Sequence, residues 1–550
     1  MRATAFNIVP IFKNTMSNEV APDSWLTRRS LLWASILGAG GLRPGAVEAA
    51  DFKLAAGAFV PAGVDSVAQA VQGKLREHPS LDDFGPVGDG KTDDWKPIQS
   101  ALEWAGRRPG TRMRVPPRIF GLRRPLLVPQ SVELVGEVPG EGNAPLCGFR
   151  ALPGFETAHD LRHGGGPDTP KMPVAALLMS KEWTEGADFA RRLHLRDLFF
   201  DVDAVKERRG GPVHGLMLAN QQLDIHNVWI RSATGFGVWI NTQRPDGTFM
   251  RALVDNVLRR VWVRGAGVGD ATFRTDAGEF RYGGFLIGAL PGARDPSGAA
   301  EPPLATDGIL DYCTVAVGPE DGIGCRGNGI HITRSAGWRV TGCHLNGAGR
   351  HGVVLDRAFQ TELSGCYLDG WGVDSRDNEG ISGCILCSSI VGLDAGADGG
   401  VIVSSNRISS RAVRSKIGNS FVALSLRGGA TPTARAAVIG NVVIKRRQAA
   451  HEFAVFDFGR SGAGELEATV IGNIASGAAA NFLRPWNEAA VRPHFAGNSF
   501  QYGTAAPSAG WHPTGLRIEN TTPKPGGWNG WICVGGGDPA AWRGFGRIEE

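Results

Sequence analysis

The feature that most constrains the fold of this chain is a row of glycines at a nearly constant spacing. Six of the seven steps in the row are 20 to 24 residues long, and the remaining step of 47 residues has room for one repeat plus an insertion. The row consists of Gly215, Gly237, Gly284, Gly308, Gly329, Gly352, Gly372 and Gly392. Most of these glycines open a short alternating run, such as GLML, GVWI or GIHI. One short strand per repeat of about 22 residues predicts a parallel β-solenoid, whose equivalent residues stack about 4.8 Å apart.

A second row of strands lies between the glycine strands and carries Cys or Asn at a fixed place. The members of this row are Cys343, Cys366, Cys384, Asn406, Asn441 and Asn473. An Asn at an inward bend can hydrogen-bond the next coil, so the row predicts a ladder of stacked side chains. Cys313 extends the predicted column of cysteines. These are expected to be buried thiols, because a ladder of this kind rarely meets disulfide geometry.

Composition limits the kinds of protein that this chain can be. A chain of 550 residues usually has several domains, but a solenoid grows along one axis without enlarging its cross-section. The net charge of +4 gives no support for a nucleic-acid partner. The chain has 15 Trp, and an exposed Trp can stack on a sugar ring, although filling the core is the commoner use.

The N-terminus has the pattern of an export signal. The twin-arginine motif TRRSLL (27–32) is followed by an apolar stretch to Leu42 and by a small-residue cleavage site near Ala49. This pattern predicts a twin-arginine signal peptide over 1–49 and a periplasmic or secreted protein, with an amphipathic N-terminal helix as the alternative. The apolar stretch is too short to span a bilayer, and no other stretch predicts an integral membrane segment.

The rest of the chain divides by pattern into three predicted parts: a lead-in segment at 50–80, a solenoid at 81–505 and a small C-terminal module at 506–550. Gly/Pro-rich insertions interrupt the solenoid rhythm near 138–195 and 264–306, where they are expected to wall a groove. A helix is predicted at 93–105, with an apolar stripe and with Asp93 or Asp94 as its N-cap. This helix would cap the first coil of the solenoid.

The segment DFGPVGDGKTDD followed by IQSAL resembles the N-terminal signature of the pectate-lyase and rhamnogalacturonase-like superfamily. RVPPRIFGLRRPLLVPQSVELVGE (114–137) is similar to the next segment of that superfamily. The resemblance covers about 81–137. It implies an all-β, single-stranded right-handed parallel β-helix with an N-terminal helical cap, in a superfamily that mostly acts on acidic polysaccharides. GWICVGGGDPAAWRGFGRI (530–548) resembles a small tail module of secreted β-helix and phage-fibre proteins.

Polar side chains gather on the middle strands of the predicted glycine row. Because side chains alternate along a strand, the second and fourth residues after each glycine are expected to face outward. These columns include His331, Asp356, Asp374 and Arg376. With Arg350 and two Trp residues, Trp239 and Trp371, they are the predicted substrate-binding set, except that Asp374 is assigned to the catalytic set. The alternative for each charged residue is a solvated face.

Three short motifs resemble those of polygalacturonases, namely ATDG (305–308), GNG (327–329) and RHG (350–352). The resemblance implies catalytic roles for Asp307 and His351. An Asp-Asp pair expected at Asn328 is missing, so Asp374 or Asp321 is the predicted second carboxyl. The alternative for Asp307 is a turn residue, since Asp tolerates the left-handed conformation. No Arg-x-Lys follows at the expected place, and Arg376 is the nearest candidate.

Two classes of function fit these observations. The first is an exported glycoside hydrolase or polysaccharide lyase that acts on an acidic polysaccharide in a groove of the solenoid. The second is a non-catalytic solenoid for exopolysaccharide assembly or binding. No cofactor or metal site is predicted, and Ca²⁺ enters only if the chemistry is that of a lyase.

Overall fold

The computed structural model describes residues 58–59, 69–70, 78–137, 145–156, 159–162, 171–203, 211–251, 253–269, 271–275, 278–294, 305–318, 323–373, 381–390, 400–410, 420–429, 433–445, 453–460, 464–476, 481–484 and 491–550. The chain forms two units, Met1–Lys74 and Leu75–Glu550. In the first unit, two short strands pair antiparallel.

Most of the described secondary structure consists of strands. In chain order they are β1 (Ala58–Phe59), β2 (Gln69–Ala70), β3 (Asp89–Asp93), β4 (Thr111–Val115), β5 (Ile119–Leu122), β6 (Leu126–Val128), β7 (Val132–Gly136), β8 (Gly148–Ala151), β9 (His159–Arg162), β10 (Lys171–Ser180), β11 (Ala190–Asp201), β12 (Val213–Leu218), β13 (Asn220–Ala233), β14 (Val238–Ile240), β15 (Leu253–Val254), β16 (Val257–Arg259), β17 (Trp262–Ala266), β18 (Thr272–Thr275), β19 (Gly278–Arg281), β20 (Phe285–Ile287), β21 (Ala305–Thr306), β22 (Ile309–Asp311), β23 (Thr314–Ala316), β24 (Ile330–Thr333), β25 (Ser335–Ala336), β26 (Arg339–Thr341), β27 (His344–Asn346), β28 (Val353–Asp356), β29 (Thr361–Ser364), β30 (Tyr367–Asp369), β31 (Ile381–Ile390), β32 (Gly400–Ser404), β33 (Arg407–Ser410), β34 (Ser420–Gly428), β35 (Thr433–Ile439), β36 (Val442–Lys445), β37 (Phe453–Arg460), β38 (Glu465–Ile471), β39 (Ile474–Ser476), β40 (Asn481–Leu483), β41 (Val491–Ala496), β42 (Tyr502–Gly503), β43 (Arg517–Asn520), β44 (Trp528–Gly535) and β45 (Ala541–Arg547). Among the described residues, the helices are α1 (Trp95–Gly106) and α2 (Lys181–Thr184), with 3-10 turns at Leu81–Phe84 and Ser499–Gln501.

Three parallel sheets wind along one axis. Sheet I has the order β6, β10, β12, β14, β20, β24, β28, β31, β34, β37, β40. Sheet II runs β4, β7, β11, β13, β16, β22, β26, β29, β32, β35, β38, β41, and sheet III runs β3, β5, β8, β11, β13, β17, β23, β27, β30, β33, β36, β39. The long strands β11 and β13 belong to both sheets II and III. Each coil visits sheets I, II and III in turn, so the predicted parallel solenoid is confirmed.

The glycine column begins the strands of sheet I and has a steric cause. Gly215, Gly237, Gly284, Gly329 and Gly352 precede residues that align across sheet I. A Cβ on Gly237 would lie 2.4 Å from Val263, and one on Gly284 would lie 2.6 Å from Val315. Side chains from sheet III therefore fill the space at the start of sheet I, and only glycine fits there.

Two other glycines of the predicted column lie elsewhere. Gly308 precedes β22 in sheet II. A Cβ on Gly308 would lie 2.3 Å from the Trp338 ring, whereas the glycines of sheet I make room for side chains of sheet III. Gly372 lies outside sheet I, and Cys384 takes the position that follows Gly352. Gly392 lies outside the described residues. The sequence repeat thus mixed the beginnings of two sheets.

The bend between sheets II and III carries the predicted ladder. Cys313, Cys343 and Cys366 stack in register and are followed by an Asn series. Each Asn accepts bonds from the Asn of the preceding coil, through Asn441, Asn473 and Asn498. The predicted ladder is confirmed, but the placement of Cys384 in it was wrong, because 18 residues after Cys366 cannot complete a coil that takes 40 residues to reach Asn406. All eight cysteines are buried thiols.

The predicted helical cap is present as α1. Its apolar stripe of Ile98, Ala101, Leu102 and Ala105 is buried in the core of the solenoid. Asp94 stands at the N-cap position, but its carboxylate accepts the backbone N–H groups of Val87 and Gly88 at 2.6 and 3.0 Å. Asp94 therefore fastens the preceding glycine-containing loop instead of capping the helix.

Candidate functional site

The outer face of sheet I is covered over its first strands. Met217, Trp239 and Leu286 point away from the solenoid core, as the alternation predicts, but they are fully buried in a second apolar cluster. The insertions supply much of its cover, through Leu161, Met172, Trp183, Phe273, Tyr282 and Leu290. The first three of these residues belong to the insertion at 138–195, and the other three belong to the insertion at 264–306. These insertions therefore close this part of the face instead of walling a groove along it.

Neither tryptophan that was predicted to bind substrate is available to a sugar. Trp239 lies in the second apolar cluster, and its indole N–H donates to the carbonyl of Gly288 at 3.0 Å. Trp371 is packed in the main core with 1% of its surface exposed. Both predictions were wrong, for different reasons. Alternation says where the Trp239 side chain points but not what covers it. Trp371 points into the core, because Gly372 is not part of the sheet I column from which its position was inferred.

Beyond the second apolar cluster, the outer face of sheet I becomes polar. Its outward positions on β24 to β37 include His331, Asp356, Ser388, Ser425, Arg427 and Asp457, which we call the polar face. His331 continues the column of Met217, Trp239 and Leu286, and Asp457 lies further along the same column. The first polar residue of this column, His331, comes where the second apolar cluster ends, and Val354 and Leu386 separate it from Ser425 and Asp457.

His351 lies beside the polar face but has a structural task. Its Nδ1 accepts the backbone N–H of Gly383 in the next coil at 3.0 Å. His214 makes the same kind of bond to Phe236 at 2.8 Å, and Asn328 makes it to His351 at 3.3 Å. Burial, aided by the nearby charge of Arg350, lowers the pKa of His351 to about 3. The predicted role as a proton carrier near neutral pH was therefore wrong.

Asp307 is a corner residue. Its φ of 56° is left-handed, and it shares a column with Asp255, Gly337 and Gln360, whose φ values are also between 45° and 66°. This column precedes the strands of sheet II, whereas His351 precedes a strand of sheet I. The structure therefore places Asp307 and His351 at opposite ends of the sheet I strands, and the turn alternative for Asp307 fits its geometry.

His331 is held as a neutral hydrogen-bond donor. The amide of Asn328 accepts the backbone N–H of His351 through its oxygen, so its nitrogen donates to His331 Nδ1 at 3.1 Å. This arrangement leaves the ring proton on Nε2. Burial lowers the pKa of His331 to about 4, against the opposing effect of the Asp356 carboxylate. Near neutral pH the ring is therefore an N–H donor and not a general base.

Arg350 supplies a cation beside this ring. The side chain is half-buried, and the loss of solvent lowers its pKa, although an arginine stays charged in proteins. None of the described acidic residues forms an ion pair with it. Asp356 accepts a hydrogen bond from Ser388 at 2.7 Å and acts on His331 through its charge. His331, Arg350 and Asp356 thus form a cluster of two donors and one acceptor.

A second polar group on the same face was missed from the sequence. Ser425 and Arg427 both donate to one carboxylate oxygen of Asp457, at 2.7 and 2.6 Å. The two strands read SFVALSLRG and FAVFDFGR, and neither contains a glycine at the column position, which Ala423 and Val455 occupy. The register of these strands 32 residues apart was the signal that could have found them.

The described carboxylates of the polar face do not form a pair for glycoside hydrolysis. Asp356 is on β28 and Asp457 on β37, which are three strand steps and therefore roughly 14 Å apart. Hydrolysis uses carboxyl groups about 5 to 9.5 Å apart. Asp321, Asp374 and Arg376 lie outside the described residues, and their roles stay predictions.

Within the described ranges, no group of three or more His, Cys, Asp or Glu side chains could hold a metal ion. No helix in the described part of the chain is long and apolar enough to cross a bilayer.

Comparisons with known proteins identify the fold. No family model and no curated protein matches the chain. The tailspike protein of Escherichia coli bacteriophage HK620, solved with a pentasaccharide, superposes with a TM-score of 0.52 at 10% identity, covering 80% of this chain and 70% of the tailspike. The Streptococcus pneumoniae surface adhesin PfbA gives 0.48 at 11% identity, covering 86% of this chain and 100% of PfbA. The mannuronan C-5 epimerase AlgE4 A-module of Azotobacter vinelandii gives a TM-score of 0.39 at 14% identity, covering 76% of this chain and 96% of the A-module.

The similarity to the tailspike concerns the fold, which in this chain is the solenoid of three parallel sheets described above. It bears out the fold that the resemblance to the pectate-lyase and rhamnogalacturonase-like superfamily implied. The chain therefore has the fold of a right-handed parallel β-helix.

Proposed function

We propose that this protein binds an acidic polysaccharide on the polar face, at His331, Arg350 and Asp356. The observation that carries the proposal is the cluster itself, in which a guanidinium and a neutral imidazole N–H stand beside a carboxylate where the cover of sheet I ends. The two donors match a sugar carboxylate, and Asp356 can accept from sugar hydroxyl groups. The tailspike complex with a pentasaccharide is consistent with sugar binding by a solenoid of this fold, but it assigns no residue here.

Degradation of that polysaccharide, by hydrolysis or by elimination, is the enzymatic form of the proposal. Either reaction needs a proton donor or acceptor besides His331, whose Nδ1 is occupied by Asn328. Asp374 and Asp321 are the candidates, with Arg376 as a further cation, and Ca²⁺ would serve only an elimination. An assay of reducing ends and of ultraviolet-absorbing unsaturated ends on acidic polysaccharides separates the two reactions. A polymer that is bound but yields neither product assigns the protein to binding or assembly.

Replacing Arg350 by Gln is expected to weaken binding of an acidic polysaccharide roughly 10- to 100-fold, because one charge-assisted hydrogen bond is lost. Affinity electrophoresis of the full chain in gels containing the polymer measures this change. The matched control is Arg339→Gln, since Arg339 is an exposed arginine on sheet II, away from the polar face. Equal retardation of the Arg350 variant and the wild type would contradict the proposal.

We also propose that the protein is exported through the twin-arginine pathway, with residues 1–49 as the signal; these residues lie outside the described ranges. Replacing Arg28 and Arg29 by Lys is expected to keep the protein in the cytoplasm, because this route reads the arginine pair. Cell fractionation and immunoblotting measure the distribution. Unchanged export of the double variant would refute this route.

The bounds of the lead-in at 50–80 and of the module at 506–550 stay predictions.

A further inference from the structure

A cleft lies at the far end of the solenoid, away from the polar face. It has a volume of about 790 Å³ and lies between β41, the last strand of sheet II, and the C-terminal sheet of β42 to β45. This volume falls within the range of roughly 300 to 1,000 Å³ that is usual for sites of small ligands. All of its lining residues lie in the continuous stretch 491–550, which the structure describes in full.

One wall of the cleft is the edge of a β-sheet. Among the described strands, β41 pairs only with β38, so its other edge is available for hydrogen bonds. Pro493 lies within this strand and has no N–H, a feature of edges that do not add a further strand. The edge therefore suits a ligand with scattered hydroxyl groups better than another polypeptide strand.

The opposite wall presents three exposed side chains on one face of the C-terminal sheet. Tyr502 on β42 lies directly across from Glu519 on β43, and Arg517 is two residues before Glu519 on the same strand. Alternation places all three on the same face, with neighbouring strands about 4.8 Å apart. Half of the Tyr502 surface is exposed, and no described residue bonds its hydroxyl group or the Glu519 carboxylate.

Arg517 is held in position by an aromatic ring. Its guanidinium carbon lies 5.7 Å from the centre of the Phe545 ring, within the range of a cation–π contact. Phe545 in turn lies over Gly530, where a Cβ would stand 2.7 Å from the ring. A second arginine of the cleft, Arg492, is held by Glu465 at 3.2 Å. The cleft therefore contains an aromatic platform, an acceptor and an anchored donor.

We propose that this cleft is a second saccharide-binding site that takes a short stretch of sugar chain. An exposed phenol ring can support the apolar face of a sugar, a carboxylate accepts from its hydroxyl groups, and a fixed guanidinium donates to its oxygens. This second site is independent of the binding proposed for the polar face.

The test measures binding of the full chain to an array of defined neutral and carboxylated oligosaccharides, with dissociation constants from fluorescence polarisation. Tyr502→Ala and Arg517→Ala are each expected to weaken binding at least 10-fold, because each removes one of the contacts that orient the sugar. The control is Arg543→Ala, since Arg543 is an exposed arginine of the same sheet that does not line the cleft. Its binding is expected to equal that of the wild type.

The same measurement in the Arg350→Gln chain separates the two sites. Binding that remains there and is lost on adding Tyr502→Ala supports the cleft. Loss of all binding in Arg350→Gln overturns the cleft while the polar-face proposal stands. If binding is unchanged by Arg350→Gln and is abolished by Tyr502→Ala alone, the cleft proposal stands and the polar-face proposal is overturned. Hydroxyl-radical footprinting of the unmutated protein gives a second readout, and absence of protection at Tyr502 with saturating oligosaccharide overturns the cleft as a site.

Discussion

Replacing His351 by Asn is expected to leave the protein folded at neutral pH and to make it more resistant to acid. The Nδ1 atom of His351 accepts the backbone N–H of Gly383, and a protonated ring cannot do so. Its pKa in the folded chain is about 3, below the value of 6.5 for an exposed ring. The unfolded chain therefore binds the proton first, and stability falls as the pH drops from 6.5 towards 3.

The size of this loss of stability follows from the difference between the pKa values of His351 in the folded and unfolded chains. At pH 4 a ring with these two pKa values reduces the free energy of unfolding by roughly 3 kcal/mol. Asn is the matched replacement because Asn328 makes the same bond one coil earlier without titrating. His214, with a pKa lowered by burial to about 3, adds a loss in the same direction.

Circular dichroism along an acid titration measures the result. The His351→Asn chain is expected to unfold at a lower pH than the wild type, whereas both have the same stability at pH 8. His351→Ala is the control, since it loses the acceptor for Gly383 and is expected to be less stable by about 1 to 3 kcal/mol at every pH. An acid midpoint that His351→Asn does not move would show that this ring does not govern acid unfolding.

Replacing Asn441 by Ala is expected to lower the free energy of unfolding by about 4 kcal/mol, because several buried groups lose their partners at once. Its side-chain oxygen accepts from the backbone and the side chain of Asn406, at 3.0 and 2.9 Å. Its amide nitrogen donates to Val403 and to Asn473, both at 2.9 Å. The ladder is continuous, so the loss extends to both neighbouring coils.

The control for Asn441 comes from the same column. Cys366 occupies the equivalent position in an earlier coil, and its thiol makes weak contacts to carbonyl groups at 3.4 and 3.6 Å and to the thiol of Cys343. Cys366→Ala is expected to cost about 1 kcal/mol through the small cavity that it leaves. Denaturant titration compares the two variants. Equal losses would mean that the hydrogen bonds of the Asn ladder contribute nothing beyond packing.

The repeat predicted the solenoid, but it did not separate glycines with different neighbours. Gly237 and Gly308 open similar runs, yet one makes room for Val263 and the other for the Trp338 ring. Both contacts are made by residues distant in sequence, so a local pattern cannot distinguish them. The Asn ladder was predictable because hydrogen bonding between coils depends on the side chain and its period alone.

The site was less predictable than the fold, because cover and partners decide what a side chain does. Alternation placed His331 and Trp239 on the same outward column, but the insertions bury Trp239. His351 follows Arg350 in a motif of catalytic appearance, although its contact with Gly383 gives it a structural role. Asp457 was missed because its strand lacks the glycine by which the row was found.

The most direct test of acidic-sugar recognition by the polar face compares retardation of the protein in two gels. One gel contains an acidic polysaccharide, and the other contains the same polymer after reduction of its carboxyl groups. The reduced polymer keeps its hydroxyl groups and length but cannot pair with Arg350 or accept a charge-assisted bond from His331. We expect strong retardation of the wild-type protein by the acidic polymer and little by the reduced one. Equal retardation in both gels would contradict recognition of an acidic sugar by the polar face.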